Sequence, residues 1–143
     1  MNFNEGKELL RTKNMPGGDL YIYRPGNILV LALTAQDSEG HDSWYETLAA
    51  IYENWTQEGS PVLLLNAQAA AITPYFRQRI MALRAVTQAA SLPSLTALLV
   101  KPEHKKELDV IANVSSLGTR QRLRIFTDEA EAGLWLEKNL SES

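Results

Sequence analysis

The stretch LNAQAAAITPYFRQR, Leu65 to Arg79, holds a polar group whose position suggests chemistry. Thr73 is the only aliphatic hydroxyl between Asn66 and Val86, and Pro74 follows it at what reads as the start of a helix. A hydroxyl there has two uses. It can cap the helix by accepting a hydrogen bond from an orphan amide of the first turn, where proline at the next position loses no useful donor. It can also present itself to a kinase or an anionic group, since a helix N-terminus favours negative charge and Arg77 lies one turn on. The cap accounts for the residue types without further assumption and is the preferred reading. Asn66, Thr73, Tyr75 and Arg77 form the candidate surface for a partner or ligand. They would stand at the carboxyl end of a strand, where α/β proteins bind.

Other reactive groups are sparse. The chain has two histidines and no cysteine. His41 lies in QDSEGHDSW beside Asp37, Glu39 and Asp42, but no second histidine stands at ligand spacing, and the acids suit a solvated turn entering a helix. His104, in PEHKKE, falls in the polar first turns of a predicted helix, with no nucleophile tied to it by a motif. Arg120, Arg122 and Arg124 alternate along a predicted strand after Lys105 and Lys106. The stripe offers contact with an acidic partner, but a solvated strand face protected from aggregation explains it more simply. Trp44 and Trp55 share a helical stripe and read as core. The MPGGD segment is neither a phosphate loop nor a dinucleotide fingerprint, because its glycine spacing is wrong and no helix follows. No cofactor, no metal and no intrinsic catalytic site are expected.

These groups need elements to position them, and the hydrophobic pattern supplies the elements. At 143 residues, 45% hydrophobic and 22% charged, the chain suits one globular domain able to bury a core. Its net charge of −3 argues against a nucleic-acid partner. The absence of cysteine fits a reducing, cytoplasmic setting, the N-terminus has no signal-peptide pattern, and no run approaches the ~20 apolar residues of a membrane span.

Leu20 to Tyr23 and Ile28 to Leu33 read as strands around a Pro25-Gly26-Asn27 turn. Ile28 to Leu33, Val62 to Leu65 and Ala97 to Val100 are apolar throughout, as expected of central strands buried on both faces. RLRIF, from Arg122 to Phe126, alternates like a strand near a sheet edge. Helices are expected between and after these strands. One is capped by Ser43 and Glu46, carries Trp44, Leu48, Ile51, Tyr52 and Trp55, and ends at Gly59. A second begins at Thr73-Pro74, with Phe76, Ile80, Leu83 and Thr87 facing inward. A third begins near Pro102, with Leu108, Ile111 and Ala112 on its apolar side. A fourth opens on Asp128 and Glu131 and carries Leu134, Trp135, Leu136 and Leu140. The expected fold is a single α/β domain with a mixed, mostly parallel sheet of about five strands and about four helices, in the order β-β-α-β-α-β-α-β-α. The first ~15 residues are expected as a loose arm or an extra edge strand.

The segment RIFTDEAEAGLWLEK resembles the C-terminal signature of the SpoIIAA-like group, which includes the STAS domains of anti-sigma factor antagonists. The likeness rests on a strand ending in Phe126, an acidic first turn, Ala132 and the pair Trp135-Leu136, and the element order from Asp19 to Leu140 agrees. The resemblance implies a SpoIIAA-like fold and a non-catalytic binding or regulatory role. In anti-sigma factor antagonists the comparable loop carries an Asp-Ser-Ser/Thr-Gly-like motif with a phosphorylated serine. Here AITPYF occupies that place, with Thr73 but without the Asp and Gly. The group's relation to lipid-transfer domains of the CRAL-TRIO type implies an alternative role as a carrier or enzyme with an apolar pocket. The expected partner is therefore a protein or a small apolar or anionic ligand, and homo-oligomerisation stays open.

Overall fold

The computed structural model describes residues 3–116 and 121–141. Its elements are β1 (Leu9–Met15), β2 (Gly18–Tyr23), β3 (Ile28–Leu33), α1 (Ser38–Glu53), β4 (Val62–Asn66), α2 (Pro74–Ala89), β5 (Ser94–Leu99), α3 (Pro102–Ser116), β6 (Gln121–Phe126) and α4 (Glu129–Ser141). The six strands lie in the order β1-β2-β3-β4-β5-β6. β1, β2 and β3 pair antiparallel, while β3 through β6 run parallel. The result is a single-domain α/β fold with a mostly parallel sheet. It has six strands rather than about five, because Leu9 to Met15 pairs along β2 as an edge strand. Among the described residues no helix is long and apolar enough to cross a membrane.

Strand order decides where the helices go. Parallel neighbours joined in sequence by right-handed crossovers place their helices on one face. The side chains agree. Leu29, Leu31 and Leu33 of β3, Leu63 and Leu65 of β4, and Leu123 and Ile125 of β6 pack against Trp44, Leu48 and Tyr52 of α1, Phe76, Ile80 and Leu83 of α2, and Leu108 and Ala112 of α3. The alternate residues, among them Ile28, Val30, Leu64, Ala97 and Leu99, point the other way. They are covered by Ala132 and Leu136 of α4 together with Phe3 from the N-terminal segment. The strands apolar at every position are thus buried on both faces.

Several boundaries differ from the sequence expectation, each for a local reason. α1 starts at Ser38 rather than at Ser43, because Asp37 is the N-cap and its carboxylate accepts from the Gly40 amide at 2.9 Å. Ser43 lies inside the helix, where its carbonyl accepts from the Thr47 hydroxyl. α1 ends at Glu53, with Asn54 rather than Gly59 behind it. Trp55 therefore leaves the helical stripe; it is half-buried and its indole N–H donates to the Gly59 carbonyl. β5 begins at Ser94 and ends at Leu99, so the strand is longer than its wholly apolar part. Leu134 on α4 faces solvent, while Leu136 is fully buried. The MPGGD glycines serve packing. A Cβ on Gly17 would stand 2.1 Å from the Gly40 carbonyl oxygen, so the β1–β2 turn can lie against the first turn of α1 only without a side chain there.

Candidate functional site

The carboxyl ends of β3 and β4 lead into the N-termini of α1 and α2. The chain between β4 and α2 looks bland in sequence but is tied down at several points. The Ala67 amide donates to the Leu99 carbonyl at 2.7 Å, and the Ala71 amide donates to the Ala35 carbonyl at 2.9 Å. Gln36 Nε2 donates to the Ala69 carbonyl at 2.6 Å, and Gln68 Nε2 reaches the Thr127 carbonyl at 3.2 Å. These bonds link the loops after β3, β4 and β6 and the end of β5 into one rim, which holds the start of α2 in place.

Thr73 caps α2. Its backbone is extended, its hydroxyl oxygen accepts from the Phe76 amide at 3.1 Å, and Pro74 occupies the first helical position. Asn66 ends β4, and its side-chain oxygen accepts from the Gln68 amide at 3.2 Å. Tyr75 and Arg77 leave the same helical turn in opposite directions. Tyr75 bonds through its hydroxyl to Asp42 of α1. Arg77 pairs with Glu107 of α3 at 2.7 Å. The structure thus gathers Thr73, Tyr75 and Arg77 on one helix end, and Asn66 makes no hydrogen bond with any of the three. Each of the four candidates is engaged locally.

Three residues outside the sequence-based set, Asp42 and Tyr45 of α1 and Arg79 of α2, complete this side. Arg79 stacks over Tyr45 and Tyr75, with its guanidinium carbon 4.6 Å and 5.1 Å from the two ring centres. It also lies 3.9 Å from Asp42. The hydrogen bond to Asp42 holds the Tyr75 hydroxyl above its ordinary pKa, with desolvation adding in the same direction.

The acids around His41 enter a helix as expected, with Asp37 and Glu39 exposed, but His41 itself is buried. It sits in the first turns of α1 and is only 1% exposed, against Tyr75 and Phe76. Nδ1 accepts from the Trp44 indole N–H at 3.3 Å, which places the proton of the neutral ring on Nε2. Nε2 has no hydrogen-bond partner among the described residues. Burial pushes the His41 pKa down, opposed by Asp37 and Asp42. Such an imidazole is packed in the core, where burial disfavours its charged form. Its i, i+3 spacing to Trp44 was the only sequence sign of a buried position.

His104 is half-buried in the first turn of α3. Of the arginine stripe, Arg122 and Arg124 are exposed on β6, the last strand of the sheet, while Arg120 lies outside the described residues. Among the described residues no group of three or more metal-ligating side chains is assembled. Among the described residues, grooves of about 360 to about 890 Å³ are open to solvent, and these are not lined by Asn66, Thr73, Tyr75 or Arg77. Compared with known proteins, the chain matches no family model, no curated protein and no solved structure.

Proposed function

We propose that the protein is a non-catalytic binding or regulatory module of SpoIIAA-like, STAS-type character. Its contact surface is the rim around Asn66, Thr73, Tyr75 and Arg77. The carrying observation is the state of the polar groups at the carboxyl ends of the strands. Tyr75 is bound to Asp42, Arg77 to Glu107 and Thr73 to its helix amide. A reacting site needs a nucleophile beside a free base, or an anion cradle with donors to spare. A rim of side chains each held by a neighbour, on a stitched loop, suits recognition of another surface. The missing Asp-Ser-Gly pattern and the capping role of Thr73 favour constitutive binding over a phosphorylation switch.

The test is affinity capture from the source cells with the wild-type chain, a Tyr75→Ala/Arg77→Glu variant and a Glu58→Lys control remote from the rim. A partner retained by wild type and control but lost by the rim variant supports the reading. Partners indifferent to the rim change, in a variant with an intact thermal transition, would overturn it.

The alternative reading, a carrier or enzyme with an apolar pocket, draws on one groove of about 360 Å³ near the amino ends of β4 and β5. There Val62, Leu95 and Leu140 adjoin the buried side chains of Asn27, Ser94 and Asn139. Native mass spectrometry of protein purified from its source would favour this reading if a small molecule travelled with the folded chain.

A further inference from the structure

The starts of α1 and α2 meet at one buried seam beside the rim. The His41 ring lies edge to face with the Phe76 ring at 5.4 Å and 6.4 Å from the Tyr75 ring, both in the first turn of α2. Next to it the Tyr75 hydroxyl donates to the Asp42 carboxylate, and Arg79 stacks over Tyr45 and Tyr75. The imidazole is therefore a packing piece of the seam that positions Thr73 and Tyr75.

Its seat suits one protonation state. Nδ1 accepts from the Trp44 indole N–H at 3.3 Å, and an indole nitrogen donates but does not accept. An imidazolium carries two donors and no acceptor, so proton uptake sets two donors against each other in the core and removes that bond. Nε2 has no partner among the described residues, so its N–H gains nothing in exchange. The amino ends of two 16-residue helices carry positive partial charge, which further disfavours a cation between them. Burial acts in the same direction, opposed by Asp37 and Asp42.

The charged groups around the seat come from three elements. α1 and its cap supply Asp37, Asp42 and, toward Tyr75, Glu46. α2 supplies the Tyr75 hydroxyl and Arg79, and Lys13 of β1 shares a groove with Asp42 and Glu46. Only the carboxylates can stabilise a charged imidazole. The two nearest in chain are already engaged, Asp37 by the Gly40 amide and Asp42 by Tyr75.

We propose that His41 is an acid-sensitive pin for the rim, which keeps its shape while the ring is neutral and loosens when the ring takes up a proton. The charged ring leaves Phe76 for the carboxylates of Asp37 and Asp42. Those acids then release the Gly40 amide and the Tyr75 hydroxyl, and the starts of α1 and α2 part while the α4 face stays closed. The inference rests on the rim reading for what it regulates, since a partner held at Thr73 and Tyr75 is let go in acid. The sign follows from linkage. The closed form resists the proton that the open form accepts near the ordinary value of 6.5, so opening grows as pH falls below it. One such group changes the opening equilibrium by at most about tenfold per pH unit.

The test follows the full chain by NMR from pH 7.5 to pH 5, with amide exchange corrected for its intrinsic pH dependence. The His41 ring resonances and the Trp44 indole N–H should shift together. The His41 and Arg77 amides, which donate to the Asp37 and Thr73 carbonyls, should lose protection by up to about tenfold per pH unit. The Ala132 amide of α4, bonded to the Asp128 carbonyl, should keep its protection. His41→Asn places a non-titrating oxygen near Nδ1 and should make protection at residues 41 and 77 flat with pH. If that variant melts early at pH 7.5, the wild-type chain decides, because loss of protection must share the midpoint of the ring titration. A ring still neutral at pH 5, an indole N–H unmoved by ring protonation, or amides that stay protected while the ring titrates would each overturn the proposal. So would an equal loss in His41→Asn or a loss shared by Ala132. These readouts need no partner, so their failure is distinct from a failure of partner capture, which strikes the rim reading alone.

Discussion

The two faces of the sheet are covered in unequal ways. One carries α1, α2 and α3, each held between two parallel strands by its crossover. The other is closed by α4 and Phe3, elements at opposite ends of the chain that no crossover constrains. Handedness explains the first face and would leave the second bare. Yet β3, β4 and β5 are apolar on both sides, so the exposed area would be large, and burying apolar surface favours α4 folding across β5 and the N-terminal segment closing over it. Phe3 is 1% exposed, and Gly133 of α4 leaves it room, since a Cβ there would come within 3.2 Å of Phe3 Cβ. One face is thus fixed by topology, while the other depends on termini staying docked.

The largest expected effects come from emptying each face. Trp44→Ala and Phe3→Ala should each cost about 3–5 kcal/mol in denaturant unfolding, the range for large aromatic core residues. The comparison sharpens if Phe3→Ala accelerates hydrogen exchange in α4 while leaving α1 and α2 protected. Uniform acceleration would mean that the second face does not open independently. Neighbours in β4 give a matched pair, because Leu65 faces the three helices and Leu64 faces α4. Each change to Ala should cost about 2–5 kcal/mol, with Leu64 nearer the lower end because a single docked helix can settle into the space.

Next is pH. His41 belongs to the three-helix face, and burial depresses its pKa below the ordinary 6.5. Above that value the imidazole is neutral in both states and adds no pH dependence. As pH falls below it, the unfolded chain takes up a proton that the folded chain resists, so stability declines toward the lowered folded value. Thermal melts between pH 7 and pH 5 should show this loss, and His41→Phe should flatten it. A slope unchanged by that substitution would assign the effect to other groups.

Caps come below these. Thr73→Ala should cost about 1 kcal/mol, and Thr73→Asp should largely restore stability, since aspartate also accepts the amide bond and suits the helix dipole. If neither substitution moves the unfolding midpoint, the cap carries no weight. Loss of partner binding by Thr73→Asp with stability intact would instead make Thr73 a switch. The smallest effect is expected at Leu134, 62% exposed on α4, where Leu134→Gln should change stability by less than about 0.5 kcal/mol.

Much of the scaffold was legible because its signals are local. The doubly apolar run Ile28 to Leu33 became β3 with the same bounds, and Thr73-Pro74 opened α2 as the cap chemistry implied. The misplaced start of α1 shows where local signals compete. Both Asp37 and Ser43 are followed by residues that fit a first turn, and Asp37 is the cap in a setting where Gly40 leaves room for its carboxylate and Gly17 lets the β1–β2 turn lie against the Gly40 carbonyl. The candidate rim was legible as residue types but not as pairings, since Tyr75 to Asp42 and Arg77 to Glu107 join residues far apart in sequence.

From sequence alone came the alternation of strands and helices, the three strands buried on both sides, the Thr73 cap and the edge character of the arginine stripe. These follow from periodicity and cap chemistry, which act over one or two turns of chain. Only the tertiary structure decided that α4 crosses to the face opposite α1, α2 and α3, that Phe3 closes that face, and that a histidine among acidic neighbours is buried against aromatic rings. Those outcomes depend on which apolar surface is still uncovered once the crossovers are in place, a property of the assembled sheet that no local window contains.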